Sequence, residues 1–455
     1  MRGRLSVLYF LQFAVWGCYL SCFGQLLGAG GVGQDIQWFY AAVGIVSLVT
    51  PALMGHFADS FIPSLRLLGI CHLCASIMMF GAWIYAFTHT QFSFWPFFLI
   101  YLGFLAFYMP TMALSNTTTF ALLKINGKQP VDSFPIIRVW GTIGFVAAMW
   151  FVNSAYIYEG SFGFTIDDMS PAATHRFQYN SMQLLASSVL GLITSLYTLT
   201  LPAPPVPHPG KTSSLSEIFG FKAFKLFKLP EVRTFLIFAI FAGVCLQISN
   251  GYAVPFINHF MAFEQYLGSI AAGNATLLFS FSQISEAAFI LITGIAMKRF
   301  GFKRVIFCAL IAWCLRFLFL GLGNPAEGVW WLIFSMIIYG IAFNFFNIAG
   351  HIYMDQKSDK STRGFGQGLL MMMTNGIGAT GGMIAAGAIV NHYCHWEMIE
   401  SPSGNGLMRL FMGDWTIPWL LFAAYALTVG LLFLLVYRSR PVSSNQEIGS
   451  IAVPR

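Results

Sequence analysis

Apolar runs of about twenty residues, separated by short polar breaks, recur along the whole chain. About 20 apolar residues suffice for one helix to cross a bilayer. Read against the polar breaks, the runs predict twelve spans. The first six lie near 5–27, 36–57, 65–88, 95–122, 134–155 and 180–200. The second six lie near 234–260, 268–296, 304–322, 328–353, 364–391 and 415–437. Between the two sets runs LPAPPVPHPGKTSSLSEIFGFKAFKLFKLPEVR (201–233). It begins Pro-rich and extended, and continues as a short basic amphipathic segment suited to a membrane surface. The pattern predicts an all-α membrane protein of twelve transmembrane helices in two six-helix halves. These are residues 1–200 and 234–437, with a cytoplasmic linker at 201–233 and a cytoplasmic tail at 438–455. MRGR and the apolar run behind it resemble a signal peptide. The run continues to about residue 27 with no small-residue cleavage site, so it reads as a retained first span.

Composition supports this reading. The 455 residues are 57% hydrophobic and 9% charged, and mean hydropathy is +0.70. Soluble domains carry about 25% charged residues. Charge also gives an orientation. Of 24 Lys and Arg, 20 fall on the face that holds both termini. Only Arg176 and Arg409 fall on the other face, and Arg138 and Arg316 lie within spans. The positive-inside rule then places both termini in the cytoplasm. The net charge of +7 reflects this topology rather than nucleic-acid binding. The outer loops near 156–179 and 392–414 are long and carry Glu159, Asp167, Asp168, Glu397, Glu400 and Asp414.

Eight cysteines are scattered, seven of them in apolar stretches, so neither a disulfide framework nor a zinc site is implied. The CHLC run (71–74) lies mid-helix and reads as packing, and HYCH (392–395) lies at a helix exit. No GxSxG or HExxH motif occurs. The chain does not read as an enzyme, and no cofactor or metal is implied.

Polar residues inside the spans are the candidates for function, because they are expensive there. Glu286 is the one acid well inside a span. Twelve residues separate it from Lys298, about 18 Å along a helix and close to the midplane. Gln283 precedes it by three residues. Gln247 and Asn250 share a face of span 7 at similar depth, as do Tyr339 and Phe343 on span 10. Arg138, Thr142 and Phe145 form one stripe on span 5. Amides, hydroxyls and flat rings together suit a neutral, hydroxylated ligand with a planar ring. Each amide or hydroxyl also has a second reading, as interhelical glue worth about 0.6 kcal/mol. Glu286 either exchanges a proton or pairs with Arg138 or Arg316. Arg316 faces no obvious partner stripe and reads as structural or ion-paired. The glycines of span 11 read as close helix packing.

The same stripes carry a resemblance. YMPTMALSN (108–116), SFPIIRVWGTIGF (133–145), LQISN (246–250), SQISE (282–286), YGIAFNFFNIAG (339–350) and GQGLLMMMTNGIG (366–378) occur in order along the chain. Together they resemble the nucleoside:proton symporter family of the major facilitator superfamily. GHFADSF (55–61) and MKRFGFKRV (297–305) stand where that superfamily carries a Gly/Asp/Arg-rich turn. The resemblance implies proton-coupled nucleoside import across a bacterial inner membrane by alternating access. It places the nucleoside on Arg138, Thr142, Phe145, Gln247, Asn250, Gln283, Glu286, Tyr339 and Phe343. Glu286 is the proton-coupling candidate. Family members can carry Asp where this chain has Asn344. The implied partners are nucleoside, protons and the lipid bilayer, with no nucleic acid and no obligate protein partner. The alternative is the same fold carrying another neutral polar solute, such as a sugar.

Overall fold

The computed structural model describes residues 1–207, 221–357, 363–400 and 407–438. A helix occupies each predicted span position. In the first half these are α1 (Arg2–Gly17), α2 (Phe23–Ala29), α3 (Ile36–Ser60), α4 (Ser64–Thr88), α5 (Phe94–Ile125), α6 (Pro130–Ser154) and α7 (Met182–Thr198). In the second they are α8 (Pro230–His259), α9 (Ala275–Phe300), α10 (Phe302–Leu322), α11 (Val329–Lys357), α12 (Arg363–Met371), α13 (Ala379–Tyr393) and α14 (Thr416–Val436). A π-helical stretch, Met372–Gly378, joins α12 to α13. Among the described residues nine helices are long and apolar enough to cross a membrane. The number is ten if the bent pair Ala275–Ile290 and Ile292–Phe300 is one span. α1 and α7, at 16 and 17 residues, are shorter.

Two features depart from the sequence reading. Span 1 is not one helix: the chain turns between Gly17 and Phe23, and α2 leans toward the second half. There Gln25 Nε2 donates to the Arg409 carbonyl at 2.6 Å and Gln25 Oε1 accepts from Asn258 at 3.4 Å. The two long outer loops are also structured. Ala155–Tyr158 (β1) pairs antiparallel with Ser161–Phe164 (β2), and Cys394–Glu400 (β3) with Leu407–Gly413 (β4). Residues 208–220 of the linker and 439–455 of the tail lie outside the described residues. Within the linker, Phe221–Lys228 forms a short 3-10 segment.

The span 11 glycines act as expected. A side chain on Gly378 would strike the Ile240 carbonyl, and one on Gly382 would strike Val244, so α8 lies directly on this segment. The two halves meet where α3 faces α13 and the π segment, and where α6 faces α9.

One end of the molecule carries both hairpins, and the other carries Met1 and Tyr437. Among the described residues, the hydrogen bonds between halves lie in the hairpin-end part. Arg176, fully buried, pairs with Asp168 at 2.6 Å. It also donates to Asn274 Oδ1 at 2.8 Å and to the Gly273 carbonyl at 3.0 Å. Tyr179 and Gln178 donate to the same carbonyl, and Asn153 donates to Asn274 Oδ1 at 2.7 Å. Trp150 Nε1 donates to Ser280 Oγ. Gly273 must lack a side chain, because a Cβ would overlap the Asp168 carboxylate. Burial pushes the Asp168 carboxyl up from its usual range, against the pull of Arg176. These contacts close the hairpin end.

Breaking one side of this closure is expected to open it. Asp168→Asn leaves Arg176 buried without its carboxylate, a loss of about 3–5 kcal/mol from the closed state. Spin labels at Glu159 and Glu264, one per half, should report longer separations in this variant. Asp167→Asn, whose carboxylate caps only the local turn at Met169, should leave the distances unchanged.

Candidate functional site

The predicted residues of the second half converge. Gln247 and Asn250 lie on α8, and Asn250 Nδ2 donates to Gln247 Oε1 at 3.3 Å. Gln283 and Glu286 lie one turn apart on α9. Tyr339 and Phe343 lie on α11 with ring centroids 5.7 Å apart and planes 7° from parallel. Gln283 lies near the Tyr339 hydroxyl. α9 can approach α11 this closely because of Gly340, where a Cβ would run into Ser285. The Ser285 hydroxyl then donates to the Ile337 carbonyl across the two helices.

Glu286 is buried, with 8% of its surface exposed. It forms no ion pair with the described residues. The reading of Glu286 as the ion-paired partner of Arg138 or Arg316 is therefore not what the fold adopts. Arg138 is within electrostatic reach of Glu286, but its guanidinium packs over the Phe13 ring at 4.1 Å. Arg316 is held by serines, a carbonyl and two aromatic faces. Asn344 donates to the Glu286 backbone carbonyl at 2.6 Å, so it fixes α9 against α11. Glue is the reading the geometry favours for Asn344.

The first-half residues form a separate group on α6. Phe145 meets Trp16 edge-on, with centroids 6.3 Å apart and planes at 83°. α1 and α6 touch backbone to backbone here: a Cβ on Gly17 would strike Phe145, and one on Gly144 would strike Phe10. Thr142 borders a cleft of about 300 Å³ between α6 and α9, whose other walls include Val139, Ile143, Trp150, Ile284 and Ala287. Thr142 is the one polar residue in that lining. Among the described residues no hydrogen bond joins the α6 group to the α8, α9 and α11 group. Sequence reasoning missed Phe13 and Trp16 on α1, since apolar side chains in an apolar span give no signal.

The family profile described as nucleoside H+ symporter matches residues 1–441. The chain belongs to the nucleoside H+ symporter family. Xanthosine permease of Escherichia coli (strain K12) is 35% identical over 439 residues, covering 96% of this chain and 95% of that protein. Nucleoside permease NupG of the same organism is 33% identical over 445 residues, 97% of each chain. A crystal structure of nucleoside transporter NupG superposes with a TM-score of 0.79 at 33% identity, covering 96% of this chain and 99% of that one. A bacterial homologue of the lysosomal transporter Spinster, at 13% identity and TM-score 0.65, shares the fold. This symporter family is one of transporters, not enzymes, and the fold is that of the major facilitator superfamily.

The stacked rings of α11 offer a flat face of the kind on which bases stack. Phe343→Ala removes one ring and its contact area, an expected loss of about 1–3 kcal/mol of nucleoside affinity by analogy with other base–aromatic stacks. Phe343→Tyr should lose less. Calorimetric titration of uridine into the purified variants measures both. Equal and negligible effects would place Phe343 in the packing core.

Proposed function

We propose that nucleosides bind between the two groups, with Phe145, Tyr339 and Phe343 packing the base. Arg138, Thr142, Gln247, Asn250 and Gln283 then hydrogen-bond base edges and ribose hydroxyls. The observation that carries this reading is Glu286. It is a buried carboxyl without an ion-pair partner among the described residues, beside two stacked rings, at about mid-membrane depth. A carboxyl in that position is costly to ionise, and its proton suits it to coupling. Glu286 takes a proton from outside and releases it inside.

The charge bias of the loops supports a multi-pass inner-membrane protein with both termini cytoplasmic. In that orientation the hairpin end is the outer face, and the closed outer end corresponds to an inward-facing state. Residues 1–200 and 234–437 rock against each other about the site, with 201–233 as their link. Transport then requires the Asp168–Arg176 cluster to leave Gly273 and Asn274 in every cycle.

Uptake of labelled uridine, adenosine and xanthosine into proteoliposomes, with and without an imposed pH gradient, tests the proposal. Uptake should follow the proton gradient and collapse with a proton ionophore. Uptake that follows sodium and ignores the ionophore would be incompatible with it.

Glu286→Gln separates binding from coupling. The amide keeps the shape and much of the hydrogen bonding but cannot titrate. The variant is expected to fold, to bind uridine and to exchange it across the membrane, yet to fail to concentrate it. Full proton-driven accumulation by a well-folded variant would remove Glu286 from the coupling role.

A further inference from the structure

Arg316 lies on α10, behind the site, and is fully buried. It has no carboxylate partner among the described residues. An ionised side chain at this depth is costly in any membrane protein, so its retained contacts carry meaning. Nε and Nη2 both donate to Ser249 Oγ, at 2.9 and 2.8 Å. Nη1 donates to the Ser335 carbonyl at 2.7 Å and to Ser282 Oγ at 3.2 Å. The Ser335 hydroxyl donates back to the Arg316 carbonyl at 2.9 Å. The guanidinium carbon lies 4.6 Å from the centroid of the Tyr339 ring and 5.7 Å from that of Phe279.

The partners come from three helices, and each stands next to a pair of candidate site residues. Ser249 adjoins Asn250 on α8. Ser282 adjoins Gln283 on α9. Ser335 precedes Tyr339 by one turn on α11. One planar group thus ties together the three helices that carry the second-half site. It also lies against the face of Tyr339, which Trp313 meets edge-on at 5.7 Å. A guanidinium suits this task, since its donors leave in fixed in-plane directions, whereas a lysine ammonium is a flexible point charge.

We propose that Arg316 is a positioning residue for nucleoside recognition. It sets the mutual placement of α8, α9 and α11 and the orientation of the Tyr339 ring, without itself touching the nucleoside. This rests on the nucleoside reading of the site.

The test uses purified full-length protein, uridine and xanthosine titrations, and thermal melts. Arg316→Lys keeps the charge and loses the fork, and Ser249→Ala and Ser282→Ala each remove one anchor and keep Arg316. Arg316→Lys and Ser249→Ala are expected to raise the nucleoside Kd by about tenfold in protein that remains folded. In a Tyr339→Leu background, Arg316→Lys should add less than about threefold, because the ring it orients is gone. A merely structural arginine would lower the melting temperature while leaving the Kd of the folded fraction unchanged, and an arginine acting independently of the ring would add its full tenfold to Tyr339→Leu. Either result overturns the inference. If Arg316→Lys does not fold, the two serine variants decide the question by the same Kd criterion. A wild type that binds no nucleoside overturns the nucleoside reading together with this inference. A wild type that binds, with variants that keep its Kd, overturns this inference alone.

Discussion

Within a bilayer a guanidinium has no water to turn to, so every N–H must find a protein acceptor. That constraint organises the second half of this chain. Arg316 reaches Ser249, Ser282 and the Ser335 carbonyl, and these belong to three different helices. Satisfying one cation therefore fixes the relative depth of α8, α9 and α11. Their inward-facing amides and rings inherit that registration. The same logic on a smaller scale explains Asn344, whose amide anchors the Glu286 carbonyl and holds α9 in place.

The hairpin end obeys a related constraint with the opposite consequence. There the buried cation, Arg176, pairs with Asp168 of its own half and also donates to Asn274 and the Gly273 carbonyl of the other. A polar network that spans a moving interface is stable only while every member is paired. The Gly273 carbonyl accepts from Arg176, Gln178 and Tyr179 together, so the contacts form or break as a set. A network shared between halves favours two discrete arrangements over a continuum.

The all-helical, multi-span architecture was legible because membrane thickness imposes a length on apolar runs, and length survives without an alignment. The stripes on spans 5, 7, 8 and 10 were legible because polarity in such a span is conspicuous. The break in span 1 was not, since Cys18–Cys22 is as apolar as its flanks. The β3–β4 hairpin was read as a long loop. Its strands combine charged and aromatic residues, and their pairing depends on a register that spacing alone does not set. The partners of Arg316 escaped notice for a different reason. Serines are common in such spans, and their convergence on one point is a property of three-dimensional packing.

The charge distribution at mid-membrane also bears on how a single acid could couple two movements. Arg138 belongs to the first half and Glu286 to the second, and they interact electrostatically without an ion pair. On the proposed reading Arg316, locked within the second half, keeps its distance from Glu286 as the halves rock, whereas the Arg138–Glu286 separation crosses the moving interface. On that reading the rocking itself alters what surrounds the Glu286 carboxyl, with no second acid needed, and Asn344 serves as an anchor instead. On the proposed reading, coupling in this chain is carried by one carboxyl whose neighbouring cation rides on the opposite half.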